Sequence, residues 1–311
     1  MATVQNGGTA DDKRWRGQTD KVSDQPRYRW QMTEQELREA AATPEDESKR
    51  VRFLLWLIAG FVLLGVFLFL ILRSPARTPL LILTESTYPA SFPPNPFAEE
   101  DADRLEWLDE KNLSVYRENS LVNFNEALSR IESEIYRNRV LMIYISAHGG
   151  VDNEGRPCLI PSGASPLDSR TWLPLHDVLE SIAKRKFSQS TDIVLFLDCQ
   201  KILFEPRMGI LHNQFVSKVQ ELQSVAKNGS DSTEQIPRLA IICSTSPNEV
   251  SHTLVNGRRT IFAETLFKAL SGQADGGDYD ETVSLEECYR FLQKHVAERA
   301  RTDRDRRQSP T

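Results

Sequence analysis

Two apolar runs end on side chains that could carry acyl chemistry. LMIYISA (Leu141–Ala147) leads into His148-Gly149-Gly150, and DIVLFLD (Asp192–Asp198) leads into Cys199-Gln200. A thiol attacks a peptide carbonyl once a base takes its proton and returns it to the leaving amine, and an imidazole near neutral pKa does both. Short, continuous, β-branched and aromatic runs read as strands buried on both faces. In an open parallel sheet the ligand crevice lies at the carboxyl ends of such strands. His148 and Cys199, 51 positions apart, can therefore meet in one crevice as a Cys–His dyad. Set against this, a lone cysteine after an apolar strand is more often a small buried hydrophobe. Cys243 also ends an apolar run and is the rival nucleophile, with His252 the rival base. Cys158 and Cys288 read as structural thiols, and His176, His212 and His295 as surface or cap residues.

The elements that must position these groups alternate along the chain. Strands are predicted at Leu80–Thr84, Leu113–Tyr116, Leu141–Ala147, Asp192–Asp198 and Leu239–Cys243. Phe124, Leu128, Ile131 and Ile135 recur at helical spacing, as do Leu175, Val178, Leu179 and Ile182. Further helices are expected at Phe97–Glu110, Phe215–Leu222, Ile261–Leu270 and Val283–Val296. Strand–helix alternation of this kind predicts an α/β domain with a mostly parallel sheet. Lys227–Gln235 has the composition of an exposed loop tip, and Arg299–Thr311 reads as a charged, disordered tail.

The chain has 311 residues, 40% hydrophobic and 26% charged, enough for one substantial domain with appendages. A formal charge of −6 without a basic stripe argues against nucleic acid as a partner. The four cysteines lie far apart with no CxxC and no His pair at zinc-ligand spacing, so no metal site and no disulfide scaffold is expected. Residues 1–50 read as a polar, flexible tail with a capping box at Thr33–Glu36. Phe53–Leu72 is twenty residues without a charge, the length of a single transmembrane helix, and makes the lipid bilayer a partner. Lys49, Arg50 and Arg52 precede this run, while Arg73 and Arg77 follow it. The basic excess favours a cytoplasmic N-terminus with the large domain outside. Keeping a nucleophilic thiol reduced argues for the other side.

A histidine-glycine after one buried strand and a cysteine after the next resembles the caspase-like (clan CD) peptidases, the bacterial metacaspase type among them. Four segments in order carry the resemblance, which spans residues 79–296: Ser146–Gly149, Leu197–Gln200, Cys243–Ser251, and Leu270–Asp275 with Val283–Glu287. It implies a caspase-like three-layer α/β sandwich over residues 79–298 and a cysteine endopeptidase in a bacterial cell membrane. The implied dyad is His148 and Cys199, with oxyanion donors at Gly149 and Cys199 and with Asp198, Asn248 and Ser251 binding substrate. The substrate is a protein or peptide and no cofactor is required. Calcium activation would draw on the acidic loop of Asp275, Asp278 and Asp280, although its spacing does not fit an EF-hand and a solvated turn is the plainer reading.

Two registers are open at the nucleophile. The metacaspase pattern places an aspartate two residues before the cysteine, whereas here Asp198 stands immediately before Cys199. If Asp198 is the family's aspartate, Gln200 holds the nucleophile's position and the thiol is missing. If Cys199 is the nucleophile, Asp198 points to the opposite face of the strand. The first register implies a catalytically inactive scaffold or interaction module at the membrane. An α/β-hydrolase with a cysteine nucleophile is excluded by chain order, since that fold puts the nucleophile first and the histidine last.

Overall fold

Five of the predicted strands come together in one sheet. The structure, a computed structural model, describes residues 44–72, 77–111, 113–135, 139–227, 238–255, 257–276 and 282–311. The tail up to residue 43 with its capping box, nearly all of the Lys227–Gln235 loop, and Asp278 and Asp280 lie outside these residues. The chain divides into two units, Met1–Ser74 and Pro75–Thr311.

In the first unit, helix α1 (Pro44–Leu72) runs for 29 residues. It begins nine residues before Phe53, so Pro44–Arg52, expected as tail and flank, is helical. At 1.5 Å per residue the helix is about 44 Å long. Its apolar side chains are exposed on every side, among them Trp56 at 78%, Phe61 at 70% and Leu63 at 69%. It is long and apolar enough to cross a membrane, with a mean hydropathy of 2.0 over Ser48–Phe67.

In the second unit, strands β1 (Thr78–Thr84), β2 (Leu113–Glu118) and β3 (Val140–Ser146) are followed by a short antiparallel excursion, β4 (His148–Val151), β5 (Pro157–Ile160) and β6 (Leu173–Pro174). Strands β7 (Asp192–Asp198) and β8 (Leu239–Cys243) complete a parallel sheet in the order β2-β1-β3-β7-β8. The connecting helices are α2 (Ala98–Glu106), α3 (Phe124–Ile135), α4 (Leu175–Ala183), α5 (Phe215–Lys227), α6 (Ile261–Lys268) and α7 (Leu285–Arg304).

Side-chain alternation divides the sheet's residues between two cores. Leu81, Leu83, Ile143, Ile145, Leu195 and Leu197 meet α3, α4 and α5 on one face. Leu80, Ile82, Tyr144, Val194, Phe196 and Ile242 meet α2, α6 and α7 on the other. We call these the first and second faces. The result is three layers, helix on sheet on helix.

The C-terminal tail differs from expectation. Arg299–Arg304 continue α7, which ends at Asp305 in the left-handed conformation (φ 53°). The chain then returns along the free edge of β8, where the Thr311 N–H donates to the Cys243 carbonyl (3.1 Å) and the Cys243 N–H to the Thr311 carbonyl (2.7 Å). Gln308 is fully buried, donating to the Ser244 carbonyl and accepting from the His252 N–H. Charged residues turn outward while Gln308 and Pro310 turn in, a pattern that net composition hides.

Candidate functional site

His148 opens β4 just past the end of β3 and is 1% exposed. Its ring packs on Tyr88, with centroids 4.4 Å apart, and its Nε2 lies 2.8 Å from the Pro93 carbonyl oxygen. A carbonyl only accepts, so Nε2 carries the proton and Nδ1 of the neutral ring is a bare acceptor. That Nδ1 is buried without a partner. Burial, with Lys201 adding to it against the opposing Pro93 contact, pulls the His148 pKa down to about 4. The Tyr88 hydroxyl fixes this corner by donating to the Ile160 carbonyl (2.7 Å) and accepting from the His148 N–H (3.1 Å).

Glycine follows His148 twice because both neighbours press on the backbone. A Cβ at Gly149 would sit 2.8 Å from the Phe215 ring, and one at Gly150 would sit 2.8 Å from Trp172. The Gly149 N–H donates to the Cys199 carbonyl (2.8 Å), so the expected oxyanion donor is engaged within the fold.

Cys199 follows β7 and is fully buried, packed in the first-face core with Ile145, Leu197 and Phe215. Its thiol donates to the Ile145 carbonyl (3.6 Å) on the neighbouring strand. Burial, and then the charge of Asp198, push its pKa well above the ordinary thiol range. No hydrogen bond joins this thiol to His148. Alternation explains the separation. Ala147 and Cys199 belong to the first-face core, and a Cβ on Gly149 would strike Phe215 of that core, so His148 turns the other way.

Gln200 turns away from Cys199 in the same fashion. It is 1% exposed, its amide donates to the Asn213 carbonyl (3.2 Å), and its own Oε1 has no partner. Ser251 holds it through a bond from the Ser251 N–H to the Gln200 carbonyl (2.9 Å). Asn248 is exposed at the tip of the turn closed by Glu249 N–H to the Ser246 carbonyl, with φ 68°. Asp198 has no exposure; its Oδ2 accepts from the Tyr144 hydroxyl (3.4 Å) and lies 3.5 Å from the Lys201 ammonium. The other three cysteines are buried free thiols, each with its pKa raised to about 12 by burial.

Sequence reasoning missed Tyr88, Pro93, Lys201 and Asn213. Pro93 lies in a Pro-rich loop whose carbonyl leaves no mark in the sequence. Asn213 is readable afterwards as the cap of α5: its Oδ1 accepts from the Phe215 N–H (3.0 Å). Its Nδ2 also ties the Gly149 carbonyl (2.7 Å) to the Ile202 carbonyl (2.8 Å).

Among solved structures, the Drosophila initiator caspase Dronc is similar to this chain at 13% identity and a TM-score of 0.51, over 76% of this chain and 78% of that one. The fold is caspase-like. Caspase-1 from Spodoptera frugiperda aligns at 13% identity with a TM-score of 0.49, over 77% of this chain and 88% of its own. No protein-family model matches the chain, and no curated protein sequence does. The expected three-layer caspase-like architecture with a mostly parallel sheet is therefore the observed one. At these identities the likeness concerns the fold alone.

Proposed function

We propose that this chain is a non-catalytic caspase-fold module, held at a membrane by α1, that works by binding protein partners rather than by cleaving them. The observation that carries this reading is the position of the Cys199 thiol: fully buried on the first face and bonded to the Ile145 carbonyl, while His148 turns to the opposite side. To act as a nucleophile, Cys199 would have to leave a packed core and break that bond. Alternation supports the register in which Asp198 is the family's aspartate and Gln200 stands in the nucleophile's position, on the side of the sheet that His148 takes. An amide is neither a nucleophile nor a proton source for an acyl-enzyme.

Two further features support it. The Gly149 N–H is committed to the Cys199 carbonyl, and Lys201 already lies against Asp198. The membrane part rests on α1, whose uncharged core of twenty residues has no polar face, and on the basic excess that favours a cytoplasmic N-terminus.

The test is labelling of the full chain with peptide acyloxymethyl-ketone probes bearing lysine, arginine or aspartate, on wild type, Cys199→Ala and His148→Ala. The expected result is no labelling beyond that of a heat-denatured control. Labelling of the wild type that disappears in both variants would return the chain to the peptidases.

A further inference from the structure

A cavity in the helical layer over the second face has a lining unlike the rest of this acidic chain. It lies where α6 meets α7, has a volume of about 480 Å³, and is lined by Thr265, Lys268, Gln273, Phe291, His295 and Arg299. Small-ligand sites occupy about 300–1,000 Å³. Lysine, histidine and arginine line it and no carboxylate does, in a chain whose formal charge is −6. Ala269–Gln273 forms a π turn with Gly272 at φ 99°, a conformation that glycine adopts without strain, and this turn brings Gln273 to the cavity. Turns of this kind recur at functional sites.

The cations here are loosely held. Arg299 is half-buried and has no hydrogen bond or ion pair among the described residues. Other arginines of α7 are engaged, Arg290 with Glu286 and Arg304 with the Thr253 and Leu254 carbonyls. Lys268 lies 3.9 Å from Glu264, a carboxylate that Arg104 (3.1 Å) and Arg259 (3.3 Å) already hold. It is the farthest of three cations on one carboxylate and the easiest to redirect. The Lys268 carbonyl accepts from the Ser271 hydroxyl (3.0 Å), so that oxygen is already occupied at the end of α6. His295 packs on Phe291, with centroids 4.2 Å apart, and its Nδ1 lies 3.5 Å from the exposed Glu298. The Phe291 ring gives the cavity an apolar wall.

We propose that this cavity binds a phosphate monoester whose body carries a flat ring. A phosphate monoester brings close to two charges and three acceptor oxygens. The guanidinium of Arg299 offers a planar fork to two of those oxygens, and the Lys268 ammonium a point charge to the third. The ring of the ligand then lies on Phe291, beside His295. This inference goes beyond the non-catalytic reading and does not depend on it, because the cavity contains none of the residues on which that reading rests.

The test is calorimetric titration of the full chain in detergent micelles at fixed ionic strength. The ligands are inorganic phosphate, phenyl phosphate and benzyl alcohol. Phenyl phosphate should bind wild type at one site per chain and benzyl alcohol should not bind. Arg299→Gln and Lys268→Gln should each weaken phenyl phosphate about tenfold or more. Phe291→Leu should weaken it about 2–10-fold while leaving inorganic phosphate unchanged. Arg301→Gln, an exposed change on the same helix outside the cavity, should bind as wild type does. Arg299→Gln should melt within about 2 °C of wild type, so it decides the matter even if Lys268→Gln or Phe291→Leu folds poorly. A phosphotyrosine pentapeptide that binds more tightly than phenyl phosphate would identify a polypeptide source, and adenosine monophosphate doing so would identify a free nucleotide. No saturable binding of phenyl phosphate to folded wild type would overturn the proposal. So would equal losses in Arg299→Gln and Arg301→Gln, which would mean diffuse charge attraction rather than a site.

Discussion

If Gln200 holds the nucleophile's position, as proposed above, replacing it by cysteine should place a nucleophile on the His148 side of the sheet. The substitution removes the amide bond to the Asn213 carbonyl and shortens a side chain that is 1% exposed. Losing one neutral hydrogen bond costs about 1 kcal/mol and the smaller volume about 1 more. The total of about 2 kcal/mol should lower Tm by roughly 4–8 °C in a unit of this size, leaving the protein folded. In return, a thiol would stand on the His148 side of the sheet, where Nδ1 is unpartnered. With its pKa pulled down to about 4, His148 is a neutral base throughout the neutral range. Positioned base catalysis typically contributes about 10²–10⁴-fold. A pKa near 4 makes His148 a weaker base than an ordinary imidazole. Labelling of Gln200→Cys by a peptide acyloxymethyl ketone should therefore exceed wild type by the low end of that range, about 10²-fold, and adding His148→Ala should abolish the gain. Mass spectrometry of the labelled peptide distinguishes Cys199 from the new residue. A folded Gln200→Cys that labels no faster than wild type would refute the assignment of Gln200 to the nucleophile's position.

Four other outcomes follow from the same structure. All four native thiols are buried, so alkylation of the folded chain should run at least about 10³-fold slower than that of free cysteine and should accelerate only with unfolding. Asn213→Ala removes a helix cap and two side-chain bonds to carbonyls, and denaturant titration should read a loss of about 3 kcal/mol. Burial pulls the His148 pKa from 6.5 down to about 4, so its contribution to stability grows as pH rises across that window. Asp101 is raised from 3.8 to about 7, by burial first, with Asp198 adding and Lys201 and Thr260 opposing, so its contribution is lost across the same range. The two slopes oppose each other and largely cancel between about pH 4 and 6.5, leaving the shallower rise that the lowered pKa of His252 adds near the top of that window. Denaturation profiles of His148→Gln should then fall with pH, while those of Asp101→Asn should rise; parallel profiles would contradict the signs. Finally, the chain should stay with the membrane fraction through an alkaline carbonate wash, and release into the supernatant would rule out a bilayer-spanning α1.

The layered architecture was legible because parallel strands buried on both faces leave continuous apolar runs. Asp192–Asp198, Leu239–Cys243 and Phe124–Ile135 carry the same bounds in the sequence reading and in the structure. The β4–β6 excursion was not, since HGGV and PCLI are too short and too glycine- or proline-rich to show a period. Adjacent residues at a strand end alternate faces, so the sequence could list His148, Asp198, Cys199 and Gln200 as neighbours of a crevice but left two registers open. Lys201 looked like an ordinary charge after a strand because its pairing depends on Ser146, 55 positions away in the chain.

The order in which the sheet is assembled also sets a schedule for synthesis. After β1 and β2, each new strand joins the same outer border: β3 beside β1, β7 beside β3, β8 beside β7, and the segment ending at Thr311 beside β8. No later strand has to be threaded between two earlier ones, so the sheet can grow in step with translation. The last join is late, because 68 residues separate Cys243 from Thr311. At about 5–20 residues per second, the border of β8 waits roughly 3–14 s for its cover. During that interval its unpaired N–H and C=O groups are exposed to neighbouring nascent chains, a window in which ribosome spacing and local chaperone supply would govern the yield of folded protein.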